Sequence, residues 1–443
     1  MFFTTIVAQL VRQLPALGPH VQNEIENDPA VVNKSKREQF EHLLLKPLEK
    51  CRDAVPALLA VVIDALDECD REEDIVVLIN LLSRANEATS FRLRFFVTSR
   101  PELPIRLGFK EIDGSYRDLA LHDIPKQDIR RDISTILRAE LAQVRQNFNK
   151  TVTGLGLPQD WPPSASIEIL VDMAVPLFIF ASTACRFIAD GDYGDPGEQL
   201  DRILEYRKKG GGWSQIHTTY LPILNQLLLK RTDSGSVRRT KDETAIIVAW
   251  FHEIVGTIVL LADPLSSAAL ARVLGRSQLY VDSKLRSLHS VLQIPDDPRV
   301  PVKLLHLSFR DFLLDSNNRN ETPFWVDKGP SHEQLAGRCL NLLLCGNTIK
   351  RDICGLRLAG TLRSEISVQT INSALPPEVQ YACRYWVYHW KESKRQLQDG
   401  DIVSRFLSSH LLYWLEALGI IGRIRESVGM VEDLLDLLHA CIS

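Results

Sequence analysis

Apolar residues recur with helical spacing at the start of the chain, at 6, 7, 10, 11 and 14 in TTIVAQLVRQL and at 40, 43, 44, 45 and 48 between Ser35 and Lys50. Both stretches predict amphipathic helices. The pattern then changes character. ALLAVVID, ending at Asp64, is a short continuous apolar run of the kind a buried strand shows, and it breaks off into Asp64, Asp67, Glu68 and Asp70. A helix, EEDIVVLINLLSRA, follows with an acidic opening that suits the positive end of its dipole. A second apolar run, LRFFVTSR, ends in Thr98, Ser99 and Arg100. YRDLALHDI at 116–124 alternates like a third strand, and PKQDIRRDISTILRAELAQV restores helical periodicity. Two apolar strands that end in polar residues, with a helix between them, predict a parallel sheet whose ligands sit at its carboxyl edge.

Beyond that point the chain reads as helical almost throughout. TVTGLGLPQDWPPSA at 151–165 is a Gly and Pro cluster that predicts a domain edge. A helix is expected over 166–190, with AVPLFIFASTACRFI as its buried face, then a GDYGDPG turn, helices near 198–208 and 213–231, and a polar loop at 232–242. From 244 to 315 the order is a helix, PLSSAALARVL, VDSKLRSLHSVLQI, and a short PVKLLHLS strand running into FRDFLLD. Two β-type runs flank a DDPR turn, so helix, helix and hairpin in succession predict a winged-helix module. Residues 330–443 form a further helical array with dense aromatic packing, as in CRYWVYHW, and no repeat of fixed period.

Composition narrows the classes of function. The 443 residues are 45% hydrophobic, enough for several cores, and the net charge of −4 leaves no basic excess to pair with a phosphate backbone. Nucleic acid is excluded as a direct partner on that ground. The eight cysteines contain no CxxC pair, which fits reduced thiols in a cytoplasmic protein. Cys339, Cys345 and Cys354 with His332 have the wrong gaps for common zinc knuckles. MFFTTIVAQLVRQLP lacks the basic segment and small-residue cleavage site of a signal peptide. TAIIVAWFHEIVGTIVLLA carries His252 and Glu253 at its centre; a charge there costs about 2.5 kcal/mol or more in a bilayer, so a buried helix is expected and no membrane partner.

The candidate chemistry lies at the ends of the two strands. Acidic residues after the first and an arginine after the second could hold a cation and a phosphate. An acidic cluster at that place is also what a solvated loop opening a helix looks like, Arg100 before Pro101 could merely cap a strand, and His306 could be a hydrogen-bonded core histidine. No GxxxxGK[ST] phosphate loop occurs anywhere in the 443 residues.

Taken together, VVIDALDECD, FFVTSRPE, PLFIFASTACRFI, DPLSSAALARVL, LRSLHSVLQI and LLHLSFRDFLLD resemble, in this order, the fungal NACHT proteins of the STAND class of signalling NTPases, most of all those that continue into WD repeats. The resemblance implies an α/β region followed by mainly α structure. Its parts would be a partial P-loop NTPase-like parallel sheet in a nucleotide-binding domain over 1–150, a helical domain over 151–235, a winged helix over 240–320 and a C-terminal helical domain over 330–443. By the same resemblance Asp64 holds Mg2+, usually through water, Asp67 and Glu68 place or deprotonate the attacking water, and Arg100 reads the terminal phosphate. His306 touches the β-phosphate of ADP, and Pro176 stands where the family contacts adenine, although many relatives have Gly there. In the family a strand and the phosphate loop precede the helices with which this chain begins. The expectation is therefore a truncated signalling NTPase module with about three strands remaining, whose intact form is an ATP/ADP-gated switch using Mg2+. This chain itself is expected to bind nucleotide weakly or not at all, and its partners are other proteins or further copies of itself. The alternative is a non-catalytic helical protein-interaction scaffold derived from a STAND core; an AAA+ remodelling motor would need an arginine finger and a ring interface that the sequence does not display.

Overall fold

The computed structural model describes residues 2–442 apart from 55, 57, 70–71, 86–91, 153, 155, 192–193, 210–214, 233–234, 347 and 357–359. It divides into two units, Met1–Asp123 and Ile124–Ser443.

In the first unit, α1 (Phe2–Gln13) and α2 (Gly18–Asn27) precede α3 (Lys36–Gln39), which widens to a π-helical stretch over Phe40–Leu45 and returns to α as α4 (Lys46–Lys50). Ser35 starts this run with a capping box. Its hydroxyl accepts the Glu38 N–H at 3.3 Å while the Glu38 carboxylate accepts the Ser35 N–H at 3.2 Å. β1 (Leu58–Ile63), α5 (Glu72–Arg84), β2 (Arg92–Val97) and α6 (Leu103–Glu111) complete the unit. β1 and β2 pair in parallel, Leu58 opposite Arg92 through Ile63 opposite Val97. Side chains alternate as the pleat requires: Val61, Ile63 and Leu93 face a core that also contains Phe3, Leu44, Leu78 and Ile79. The opposite face presents Leu58, Val62 and Phe96, which are 56%, 68% and 61% exposed. Gly108 lets α6 lie against α5, since a Cβ there would meet Ile79 Cδ1 at 2.6 Å.

The expected strand at 116–124 is absent. The segment is irregular and ends in a 3-10 turn, Leu121–Asp123; the alternating Leu119 and Leu121 find no hydrogen-bonding neighbour and both stay exposed. Among the described residues the sheet of this unit therefore has two strands, not three.

The second unit opens with α7 (Lys126–Thr151), earlier than the Gly and Pro cluster suggested. Ile129, Ile133, Leu137 and Leu141 recur on one face of α7 and are buried in the core of this unit, which is why the division falls before the helix. The apolar run at 166–190 is two helices, α8 (Ser164–Ala174) and α9 (Phe178–Ala189), separated at Pro176, whose lack of an N–H breaks the ladder. α10 (Pro196–Lys209) and α11 (Gln215–Leu227) follow, while the preceding GDYGDPG turn lies partly outside the described residues. The polar stretch read as a loop begins instead with an antiparallel hairpin, β3 (Leu229–Thr232) and β4 (Gly235–Arg238).

α12 (Lys241–Leu260) is long and apolar enough to cross a membrane, and half of it, including Trp250, Phe251 and Ile254–Leu260, is buried within the protein. α13 (Ser267–Leu274), capped by Ser266 and closed by Gly275 at φ 64°, and α14 (Gln278–Leu285) lead to the hairpin β5 (Leu292–Gln293) and β6 (Lys303–Leu304), as the two β-type runs around DDPR predicted. α15 (Leu307–Leu314), α16 (Lys328–Leu344), α17 (Val368–Ala374), α18 (Pro377–Glu392), α19 (Ile402–Ile420) and α20 (Glu426–Ile442) make up the rest. Trp386, Phe406 and Trp414 meet edge to face in this core, and the Trp414 indole N–H donates to the Cys383 carbonyl at 2.8 Å. The chain is thus a partial α/β unit followed by a helical one.

Candidate functional site

The sheet of the first unit ends in a small hydrogen-bonded knot. After Ile63 the chain passes Asp64, enters a left-handed turn at Ala65 (φ 55°, ψ 56°) and makes a 3-10 turn over Leu66–Glu68. Thr98, one residue beyond β2, ties this turn down with every polar group it has. Its N–H donates to the Ile63 carbonyl at 2.9 Å and its carbonyl accepts the Leu66 N–H at 2.9 Å. Its hydroxyl accepts the Ala65 N–H at 2.9 Å and donates to Asp64 Oδ1. Leu66 is buried beneath the turn as an anchor.

Asp67 closes the knot from the other side. Its side chain is only 6% exposed. Oδ1 accepts from the Ser99 hydroxyl at 3.1 Å and from the Arg100 N–H at 3.0 Å, and Oδ2 lies 3.8 Å from Arg100 Nε. A carboxylate so committed holds the second strand end to the first and aims the Arg100 guanidinium, which is 38% exposed. Asp64, in contrast, is exposed, with one oxygen on Thr98. An exposed carboxylate beside a hydroxyl suits a hydrated Mg2+, which keeps several of its waters and takes one or two protein oxygens. Among the described residues no group of three or more His, Cys, Asp or Glu is arranged to hold a metal without such waters. Glu68 contributes its backbone to the 3-10 turn, its side chain and all of Asp70 lying outside the described residues.

The remaining candidates belong to the second unit. His306 is the N-cap of α15: Nδ1 accepts the Ser308 N–H at 3.1 Å and meets the Ser308 hydroxyl at 2.7 Å. The same hydroxyl is 2.7 Å from the buried Tyr220 OH, whose ring packs on Phe309 and Phe312. Because Nδ1 accepts a backbone N–H, a neutral His306 carries its proton on Nε2. Pro176 is exposed between α8 and α9, after a cis Val175–Pro176 bond. The structure therefore gathers Asp64, Asp67 and Arg100 at one strand edge and places His306 and Pro176 in a different unit. Sequence reasoning gave Thr98 and Ser99 no role of their own. Their place directly behind the second strand, opposite an acidic turn, was the available signal. The Tyr220–Ser308–His306 chain had none, since Tyr220 is 88 residues from Ser308.

The family described as nephrocystin 3, N-terminal, matches residues 1–100, a span that contains both strands and ends on Arg100. Over 470 aligned residues the chain is 24% identical to the vegetative incompatibility protein HET-E-1 of Podospora anserina, covering 98% of this chain and 30% of that protein. Both likenesses support the NACHT-type STAND proteins as what this chain is similar to. The chain spans less than a third of the length of that relative. The knot of Thr98, Asp64, Asp67 and Arg100 lies within both aligned regions.

Proposed function

We propose that the chain is a module of a nucleotide-linked signalling switch, and that the knot at the ends of β1 and β2 is one wall of its nucleotide pocket. The observation that carries this reading is the placement of an exposed carboxylate, Asp64, and a held arginine, Arg100, at the carboxyl ends of two parallel strands, where open α/β sheets bind their ligands. In this reading Asp64 holds hydrated Mg2+, Arg100 meets the terminal phosphate, and Glu68 places the attacking water. Asp67, tied to Ser99 and Arg100, keeps the arginine aimed. The bound cation would supply bridging of phosphate oxygens, and the side chains supply position and charge. The hairpin β5–β6 with α13 and α14 would be the winged helix of 240–320, followed in the chain by the helical domain of 330–443; the nucleotide-binding domain would end at 123 and the first helical domain would begin with α7 and not at 151.

The 443 residues lack a GxxxxGK[ST] loop, and charge-assisted hydrogen bonds to phosphate are worth roughly 1.5 to 3 kcal/mol each. Five or six of them amount to about 8 kcal/mol or more after allowing for non-additivity, as much as the whole free energy of ~1 μM binding. The chain alone is therefore expected to hold Mg·ATP in the millimolar range or not at all. Its output would run through protein partners or self-association in the cytoplasm, in line with a relative named for vegetative incompatibility. Isothermal calorimetry with Mg·ATP tests the affinity: no micromolar binding is expected, and a micromolar dissociation constant would overturn the weak-binding reading.

A second reading, a protein-interaction scaffold without nucleotide, is favoured by one observation. The sheet face of Leu58, Val62 and Phe96 is apolar and open, as a surface awaiting a protein would be.

A further inference from the structure

Helices α16 and α18 share the most extensive helix-to-helix seam of the second unit, and the middle of that seam is not apolar. His332 on α16 and His389 on α18 are 3% and 0% exposed, with their Nδ1 atoms 2.8 Å apart. His389 Nε2 lies 2.7 Å from the buried Tyr381 hydroxyl, and that oxygen accepts the N–H of Ala262, just past α12, at 3.2 Å. Three groups joined in this way leave the protons little choice. The Ala262 amide can only donate, so the Tyr381 O–H is directed to His389 Nε2. His389 then carries its proton on Nδ1 and donates to His332 Nδ1, and His332 keeps its own on Nε2. Both rings are neutral, and the chain runs in one direction.

Added protons have no good place. With one on His332 Nδ1, His389 must accept there and shift its own proton to Nε2, which leaves the buried Tyr381 O–H without an acceptor. A second proton sets two N–H groups head to head across 2.8 Å. Nearby charge makes this worse, for the groups that bear on His332 are the cations Arg310 of α15 and Lys328 of α16, with the Tyr388 ring edge against it. Several carboxylates on the surrounding elements are already paired. Asp263 is held by Arg384 and Tyr385, Glu253 of α12 by Arg276 and Arg338, and Glu378 by Arg272 of α13. Asp433 of α20 is held by Lys391, and Glu333 by Arg395. Glu392 bears on Tyr388 at the end of α18, and α19 brings Phe406, with His410 stacked on it, and Trp414. Cys339 and Cys383, buried in the same core, are held as neutral thiols by desolvation.

We propose that the His332–His389–Tyr381 chain is an acid-sensitive latch, holding α16 to α18 while both imidazoles are neutral and releasing the C-terminal helices when they are protonated. Burial, with Arg310 and Lys328 adding to it, lowers the His332 pKa to about 4, and burial beside His332 lowers that of His389 to about 3. Unfolded imidazoles titrate near 6.5. The unfolded chain thus takes up protons that the folded chain refuses. The stability supplied by the neutral pair is complete above pH ~6.5 and is lost progressively as pH falls toward 4.

Urea unfolding of the full chain between pH 7.5 and 4.5 tests the latch, with tryptophan fluorescence as the readout. The wild type is expected to lose stability below pH ~6.5 with a slope approaching two protons taken up per molecule. A His332→Gln/His389→Gln variant, whose amides keep the chain of donors and acceptors without titrating, is expected to lose most of that slope. Equal slopes in the two proteins would overturn the proposal. Should the double variant fail to fold, imidazole 15N shifts of the wild type decide instead. His389 protonated on Nδ1, His332 on Nε2 and no titration of either above pH 5 support the latch, whereas a midpoint near 6.5 for either ring, or His389 protonated on Nε2, refutes it.

Discussion

The two units use polar groups in opposite ways. The first places its polar chemistry at the tip of a sheet, where Asp64 and Arg100 keep contact with solvent while Thr98 and Asp67 are spent on holding the turn. The second sinks polar groups into the middle of a helical core, where His332, His389 and Tyr381 satisfy one another. The difference extends to apolar surface. Trp386, Phe406 and Trp414 are closed off from water, whereas the open face of β1 and β2 leaves Val62 and Phe96 exposed. Parallel sheets are ordinarily covered on both faces, so the first unit is the one whose architecture calls for company, and the second is the one that stands on its own packing.

That contrast can be broken most forcefully in the second unit. Trp414→Ala removes a fully buried ring and its hydrogen bond to the Cys383 carbonyl, and should cost about 3 to 5 kcal/mol in denaturant unfolding of that unit. A cost below ~1 kcal/mol would mean that the aromatic core is looser than its geometry implies. In the first unit the knot is smaller and the effect should scale with it. Asp67→Ala removes the carboxylate that accepts from the Arg100 N–H and the Ser99 hydroxyl, leaving the latter only the Arg100 carbonyl, and should destabilise by about 1 to 3 kcal/mol, while Asp64→Asn, which alters an exposed group, should change stability by less than about 0.5 kcal/mol. Reversal of that order would move the structural role from Asp67 to Asp64. The smallest effect is expected on the open face: Val62→Thr and Phe96→Thr should each stay within about 0.5 kcal/mol of wild type in the isolated chain. A larger loss there would show that the face is covered in solution.

How much of this was legible in the sequence follows from how local each signal is. The strands at 58–63 and 92–97 and the helix between them were readable because an apolar run and its polar stop lie within a few residues. The supposed strand at 116–124 had the alternation of Leu119 and Leu121 but not the neighbour that makes alternation into a strand, and the sequence carries no sign of that neighbour. The hairpin of β3 and β4 escaped notice because its short polar strands, LKRT and GSVR, show no hydrophobic period. Periodicity alone predicts one helix through the apolar run, but Pro176 breaks it in two, and the bias of the residue before a proline away from helical geometry is the local signal of that break. At the candidate site, Asp64 and Arg100 were visible as strand-end residues. The commitment of Asp67 to Ser99 and Arg100 was not, because it joins positions more than thirty residues apart. His332 and His389, 57 residues apart, were invisible as a pair for the same reason.

The claim on which the functional account rests is that the strand tips form a wall of a nucleotide pocket. The most direct test is to follow backbone amide shifts of the chain during titration with Mg·ADP to millimolar concentration, in the wild type and in Arg100→Ala. The account predicts saturable shifts at Asp64–Glu68 and Thr98–Arg100 that disappear in the variant; shifts that leave these residues untouched, or that survive unchanged in Arg100→Ala, would contradict it.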